Sequence, residues 1–164
     1  MKKFELTTEF ITNFLGIKLF RIKALVKFGD VKKGELGGFV EKEENLEHYG
    51  NAWVSGDAQV YGDAMVYGNA RVSGNARVSG DAWVSGDQMY AAVKGFGSEY
   101  RNTTFFITKD GNVCVNCGCF SGTLEQFREK VEETHKDTKY AKEYLMIADL
   151  MEMHFKEELE KIKK

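Results

Sequence analysis

The sequence predicts a mainly β protein with a helical C-terminal end, and three observations carry that reading. Residues 50–85 read GNAWVS GDAQVY GDAMVY GNARVS GNARVS GDAWVS, a hexad of the form G-[N/D]-A-x-V-x repeated six times without a gap. A fixed short period means that the chain lays down the same small unit again and again. Upstream, Phe20, Ile22, Ala24, Val26 and Phe28 alternate with Arg21, Lys23, Leu25 and Lys27, the pattern of a strand with one basic face. Downstream, a hairpin signal at Asp110-Gly111 is followed by two stretches with apolar residues at helical spacing.

Each hexad has a direct physical reading. A-x-V-x alternates small or branched apolar with mostly polar residues, as a half-buried strand does. Ala52, Val54, Ala58, Val60, Ala64, Val66, Ala70, Val72, Ala76, Val78, Ala82 and Val84 therefore point inward. The Gly-Asn or Gly-Asp pair breaks the strand, because these residues tolerate the positive φ of a corner. A strand this short cannot make a useful hairpin, but it can turn through a constant angle, and three such turns close a triangle.

The pattern resembles the hexapeptide repeat of left-handed parallel β-helices, in which three hexads form one coil. On that resemblance residues 18 apart stack at roughly 4.8 Å. The expected architecture is mainly β with α: a left-handed parallel β-helix of hexapeptide repeats with an N-terminal β cap and a C-terminal β-hairpin plus two helices. The expected divisions are residues 1–37, 38–87 and 88–164.

Stacking assigns the outward residues to three faces. Trp53 and Ser55 lie with Arg71 and Ser73, Gln59 and Tyr61 with Arg77 and Ser79, and Met65 and Tyr67 with Trp83 and Ser85. The third face is the most apolar and calls for cover, from another subunit or from the chain's own ends. Trp53, Met65, Tyr67, Arg71, Arg77 and Trp83 are the candidate binding residues, since guanidinium groups and aromatic faces together suit a nucleotide. The same residues also read as the solvated outer positions of a repeat.

Before the hexads, residues 8–15 (TEFITNFL) place Phe10, Ile11, Phe14 and Leu15 on one helical stripe, with Gly16 as its stop. The glycine-rich run VKKGELGG reads as turn. GFVEKE and ENLEHY read as degenerate hexads, with Asn45 and Leu46 in the places of Asn51 and Ala52. Glu41, Glu43, Glu44 and Glu47 suit a capping end better than a metal site. The run IKLFRIKALVKFGDVKKGELGGFVEKEENL leading into G-N-A-x-V resembles the N-terminal cap of bacterial and prophage hexapeptide-repeat proteins, often labelled transferase-like or polymer-forming. CGCFSGTLEQF resembles the tail of prophage members. The resemblance implies phage or prophage origin and does not imply an activity.

Beyond Asp87 the repeat fails, and GFGSEYRN reads as a loop. Residues 103–107 pair with 112–117, residues 118–122 turn, and Thr123 with Gln126 forms a capping box for a helix to about Thr134. A second helix, capped by Asp137 or Thr138, runs to about Ile162. Its main stripe is Ala141, Tyr144, Leu145, Ala148, Met151, Phe155, Leu159 and Ile162, and Met146, Ile147, Leu150 and Met153 form a second strip. A helix apolar on two sides sits between layers or between subunits. Cys114, Cys117 and Cys119, with His135 or His154 as a fourth ligand, are the one metal-like pattern, although Cys114 also reads as a small buried thiol.

A net charge of −2 argues against nucleic acid as a direct partner. No long apolar run marks a membrane span and no signal-peptide core follows Met1-Lys2-Lys3, so the expected location is cytoplasmic, in a bacterial host. The hexads hold no acid, base or nucleophile pair, and His48, His135 and His154 lie outside them. The sequence therefore favours a non-catalytic binding protein without a cofactor. Taken together, the prophage resemblance and the lack of catalytic residues lead to the expectation of an inhibitor of a bacterial defence system, either of anti-CRISPR type or a sponge for a signalling nucleotide. Its partner would be a host protein complex or a small signalling molecule, and a homo-oligomer (dimer or trimer) is expected. The alternative is an acyltransferase-like enzyme of the hexapeptide-repeat kind, whose histidine would act as general base.

Overall fold

Alternation within the hexads does what its chemistry demands: the inward alanines and valines named above are all at most 1 % exposed. Each hexad glycine, from Gly50 to Gly80, has φ between +62° and +69° and turns the chain at its corner. The structure, a computed structural model, describes residues 1–163. It divides into two units, Met1–Asp87 and Gln88–Lys164.

The first unit begins with β1 (Phe4–Thr12), β2 (Lys18–Ala24) and β3 (Leu36–Val40), paired antiparallel in that order. A 3₁₀ turn at Glu43–Asn45 follows. Each hexad then contributes one two-residue strand: β4 (Trp53–Val54), β5 (Gln59–Val60), β6 (Met65–Val66), β7 (Arg71–Val72), β8 (Arg77–Val78) and β9 (Trp83–Val84). Strands 18 residues apart pair in parallel, Trp53 with Arg71, Gln59 with Arg77 and Met65 with Trp83.

These pairings do not add up to the expected left-handed parallel β-helix. The hexad strands fall into separate small sheets, β4 with β7 and β6 with β9, while β5 and β8 extend the sheet β1-β2-β3-β5-β8. No continuous parallel β-helix forms. A positive-φ glycine bends the chain between successive strands and keeps each to two residues, and the upstream chain pairs antiparallel with itself.

Two local expectations also change. Residues 8–15 are not helical; most of them belong to β1, which carries Thr7, Thr8, Ile11 and Thr12. A helical stripe of two turns cannot outweigh a nine-residue strand, six of its residues β-branched or aromatic, that has a partner. Gly16 instead closes the β1–β2 turn, where Asn13 Oδ1 accepts from the amides of Leu15 and Ile17. The glycines of VKKGELGG are not all turn either. Gly37 lies in β3, where a Cβ would overlap the Val54 carbonyl and the side chains of Ile22 and Trp53. The upstream register differs as well: Val40 pairs with Val60 and Leu46 with Val66, 20 residues apart. Leu46 thus occupies a valine position rather than an alanine position, and His48 and Tyr49 lengthen the next corner.

Along the hexads, amides of the earlier strand donate to carbonyls 17 residues on, as from Trp53 to Ala70, Gln59 to Ala76 and Met65 to Ala82. The first three hexads therefore present the carbonyls of Ala52, Ala58 and Ala64 to whatever precedes them. Three different donors meet them. Lys3 Nζ donates to Ala52 at 2.7 Å, the Phe39 amide to Ala58 at 2.9 Å, and Asn45 Nδ2 to Ala64 at 2.9 Å. Glu41 and Glu47 accept from the corner amides of Gly62 and Gly68.

The second unit is a four-stranded antiparallel sheet carrying two helices. Its strands, β10 (Tyr90–Phe96), β11 (Arg101–Ile107), β12 (Val113–Cys117) and β13 (Phe120–Thr123), pair in sequence order. The hairpin of β11 and β12 has Thr103 opposite Cys117 and Ile107 opposite Val113. Helix α1 (Leu124–His135) starts at the Thr123–Gln126 capping box, and α2 (Lys139–Ile162) starts at Thr138. Phe127 of α1 packs edge-on against Phe105 and Tyr144. No helix among the described residues is long and apolar enough to cross a membrane.

The edge donors yield two expected outcomes. Asn45 is fully buried and also accepts from the Lys42 amide. Asn45→Ala should therefore cost about 3 kcal/mol in chemical denaturation, whereas exposed Asn75→Ala should stay within about 0.5 kcal/mol. Burial, reinforced by Arg71 and opposed by Glu47, lowers the Lys3 pKa from 10.5 to about 8. Between those values the unfolded chain binds the proton and the folded chain does not, so the Lys3 contribution to stability rises with pH from about 8 to 10.5. Denaturation of wild type and Lys3→Met across this window should show that rise in the wild type and its loss in the variant.

Candidate functional site

The six outward residues named from the hexads are not brought together. Trp53 is not exposed at all: it is 1 % accessible, with Phe28 edge-on at 5.3 Å. Its partner Arg71 is ion-paired with Asp30, whose carboxyl the guanidinium holds below the usual range. Arg77 lies over the ring of Phe14 at 5.3 Å. Met65 and Tyr67 are half-buried, and Trp83, 43 % exposed, meets Tyr67 edge-on at 5.8 Å. The tryptophan–arginine pairs proposed for a nucleotide are thus dispersed over three sheets, with Trp53 closed to a ligand. Trp53 was hidden by chain far from it in sequence, which no hexad pattern reveals.

His48 is likewise occupied. It stacks on Phe4 at 4.4 Å, accepts from the Lys3 amide through Nδ1 at 3.0 Å, and meets Glu43 through Nε2 at 2.8 Å. This is a clamp on the N-terminal strand. A general base would need a free imidazole nitrogen facing a substrate.

The cysteines do not form the suggested metal set. Cys114 and Cys117 are three apart in β12, so they stand on opposite faces of the sheet. Cys119 is exposed in the turn between β12 and β13. No cluster of three His, Cys, Asp or Glu side chains able to hold a metal occurs among the described residues.

What the second unit does form is a cleft of about 290 Å³ between its sheet and its helices. Phe120, Phe127, Val131 and Tyr144 make its apolar wall, and Arg101, Lys130 and His135 bring cationic or protonatable groups to it. Arg101 forms no salt bridge among the described residues, and Lys130 meets Glu133 only at 4.0 Å. Glu99 is the one carboxylate in the lining. Two exposed cations beside an aromatic wall are the arrangement that takes an anion carrying a planar ring.

The floor of the cleft is held by a short polar chain. Thr103 Oγ1 donates to Cys117 Sγ at 3.2 Å, Cys117 lies 3.8 Å from the Tyr144 hydroxyl, and that hydroxyl donates to the Phe96 carbonyl at 3.1 Å. Burial first, then the neighbouring Cys117, pushes the Tyr144 phenol up to about 12, so it remains a donor at neutral pH. The Cys117 thiol is engaged by a hydroxyl and a phenol. The His135 ring contacts are with Tyr140 and Tyr144.

Arg101, Lys130 and the cleft itself escaped the sequence reading. Ser98 and Glu99 reach the cleft from the turn after β10, and Phe120 from β13, short elements with little periodicity of their own. Alternation in Tyr90–Phe96 was the available signal, diluted by Ala91, Ala92 and Gly95.

Comparison with known families places the repeat and nothing more. The family model described as YdcK beta solenoid repeat matches residues 58–72 and 70–86. The chain is thus a β-solenoid repeat protein over that stretch. No curated protein matches it.

The cleft geometry makes a further prediction. Gly97 has φ +78°, and a Cβ there would fall on the Tyr144 ring and hydroxyl. Gly97→Ala should lose about 2 kcal/mol or more and Tyr144→Phe about 1 kcal/mol, read from melting curves of the full chain.

Proposed function

We propose that this is a non-catalytic binding protein that captures a small anionic ligand with a planar ring, of the nucleotide class, in the cleft of its second unit. The observation that carries the reading is that Arg101 and Lys130 line the same cleft as Phe120 and Tyr144. A phosphate would sit between the two cations and a base against the aromatic faces. The engaged thiol of Cys117 and the clamped imidazole of His48 favour binding over turnover. The resemblance of the N-terminal run to prophage proteins supports a biological setting: a sponge that removes a signalling nucleotide from a bacterial defence system.

Calorimetry with inorganic phosphate, nucleoside monophosphates and cyclic dinucleotides tests this reading. At least one nucleotide should bind more tightly than phosphate, and Arg101→Glu or Lys130→Glu should weaken it by about tenfold or more. Absence of binding by the whole panel at millimolar concentration, or binding unchanged in both variants, would overturn it.

A further inference from the structure

Helix α2 has two apolar faces with different fates. Ala141, Tyr144, Ile147, Ala148, Met151 and Phe155 are buried. Met146, Leu150 and Met153 face outward and are 71 %, 51 % and 68 % exposed. Their spacing of four and then three residues makes one continuous strip, as on a helix that packs along another.

The residues that prolong this strip carry opposite charges at its two ends. Lys139 and Lys142 extend it toward the N-terminus, and Glu157 and Glu160 toward the C-terminus; all four are exposed. Glu143 and Lys156 flank it with the signs reversed. None of these six forms a salt bridge among the described residues, whereas neighbouring Asp149 and Glu152 are already held by Arg128.

Such a helix is complementary to its own reverse. Laid antiparallel on a copy of itself about a point between Asp149 and Leu150, it brings Lys142 beside Glu157, Lys139 beside Glu160 and Glu143 beside Lys156. Met146 then faces Met153, and Leu150 packs beside its own equivalent, offset by one residue. A parallel arrangement would set lysine against lysine and glutamate against glutamate, which is repulsive. A groove of about 550 Å³, lined by Met153 and Leu159 and by the charged Asp149, Glu152, Lys156, Glu160 and Lys163, gives the opposing methionine room.

We infer that two copies of this chain associate through antiparallel pairing of their α2 helices. The pairing is two-fold symmetric, so each charge pair occurs twice and the interface closes on itself. With three apolar side chains per copy at its centre, it is a weak dimer that forms reversibly. The proposal is independent of the ligand reading.

Sedimentation equilibrium of the full chain from about 1 to 200 µM tests it. A monomer–dimer equilibrium is expected. Leu150→Asp should give a monomer throughout, with its circular dichroism and melting temperature unchanged because the residue is exposed. Lys142→Glu should weaken association about tenfold, and adding Glu157→Lys should restore it, since the double exchange rebuilds both pairs with reversed sign. A wild-type monomer at every concentration would overturn the inference, as would a dimer indifferent to Leu150→Asp. Failure of Glu157→Lys to rescue Lys142→Glu would overturn the antiparallel register.

Discussion

The first unit depends on satisfying the carbonyls of Ala52, Ala58 and Ala64. Parallel pairing of hexads leaves these acceptors facing upstream, and a buried carbonyl without a donor costs about 1–3 kcal/mol. The chain answers each with different chemistry: an ammonium from Lys3, a backbone amide from β3 and a side-chain amide from Asn45. Everything before the hexads can be understood as what is needed to deliver those donors. β1 and β2 bring Lys3 back over the first corner, the His48 clamp holds it there, and close approach of Gly37 seats β3 against the hexads. Burying an ammonium is costly, and the depressed pKa of Lys3 is the signature of that cost.

The same arrangement occupies the acidic residues near the start of the hexads. Glu41 and Glu47 spend their carboxylates on the amides of Gly62 and Gly68, and Glu43 is shared by Lys2 and His48. Where backbone donors and acceptors at an edge consume the polar side chains, little chemistry remains for a partner. The second unit has the reverse balance. Its sheet is paired through consecutive antiparallel strands, which leaves Arg101, Lys130 and the outer face of α2 available for other molecules.

Legibility followed range. The inward alanines and valines, the glycine corners, the β11–β12 hairpin, the Thr123–Gln126 capping box and the length of α2 were readable, since each is set by residues within a few positions of one another. The continuous β-helix was not a safe extension of the hexads. Strand length, sheet membership and the 20-residue register upstream depend on which distant segments supply pairing partners. The helix read into residues 8–15 failed for the same reason, because β2 offered those residues a ladder that a local stripe cannot foresee. Trp53 failed because Phe28 and Gly37 cover it.

For the candidate site the sequence supplied only ingredients. Arginine, aromatic and thiol residues were visible, but periodicity pointed to those on the hexads, where Arg71 is taken by Asp30 and Trp53 is buried. Arg101 and Lys130 lie in elements that become neighbours only when β10 to β13 and both helices assemble. By itself the sequence determined the local geometry: the period, the corners, the inward positions, and the two apolar strips of α2 apart from Ile147, which is buried with the first strip rather than exposed with the second. Tertiary structure alone decided which polar groups were used up in capping and which remained free to bind, because hydrogen bonds between distant residues form only after the chain has brought them together.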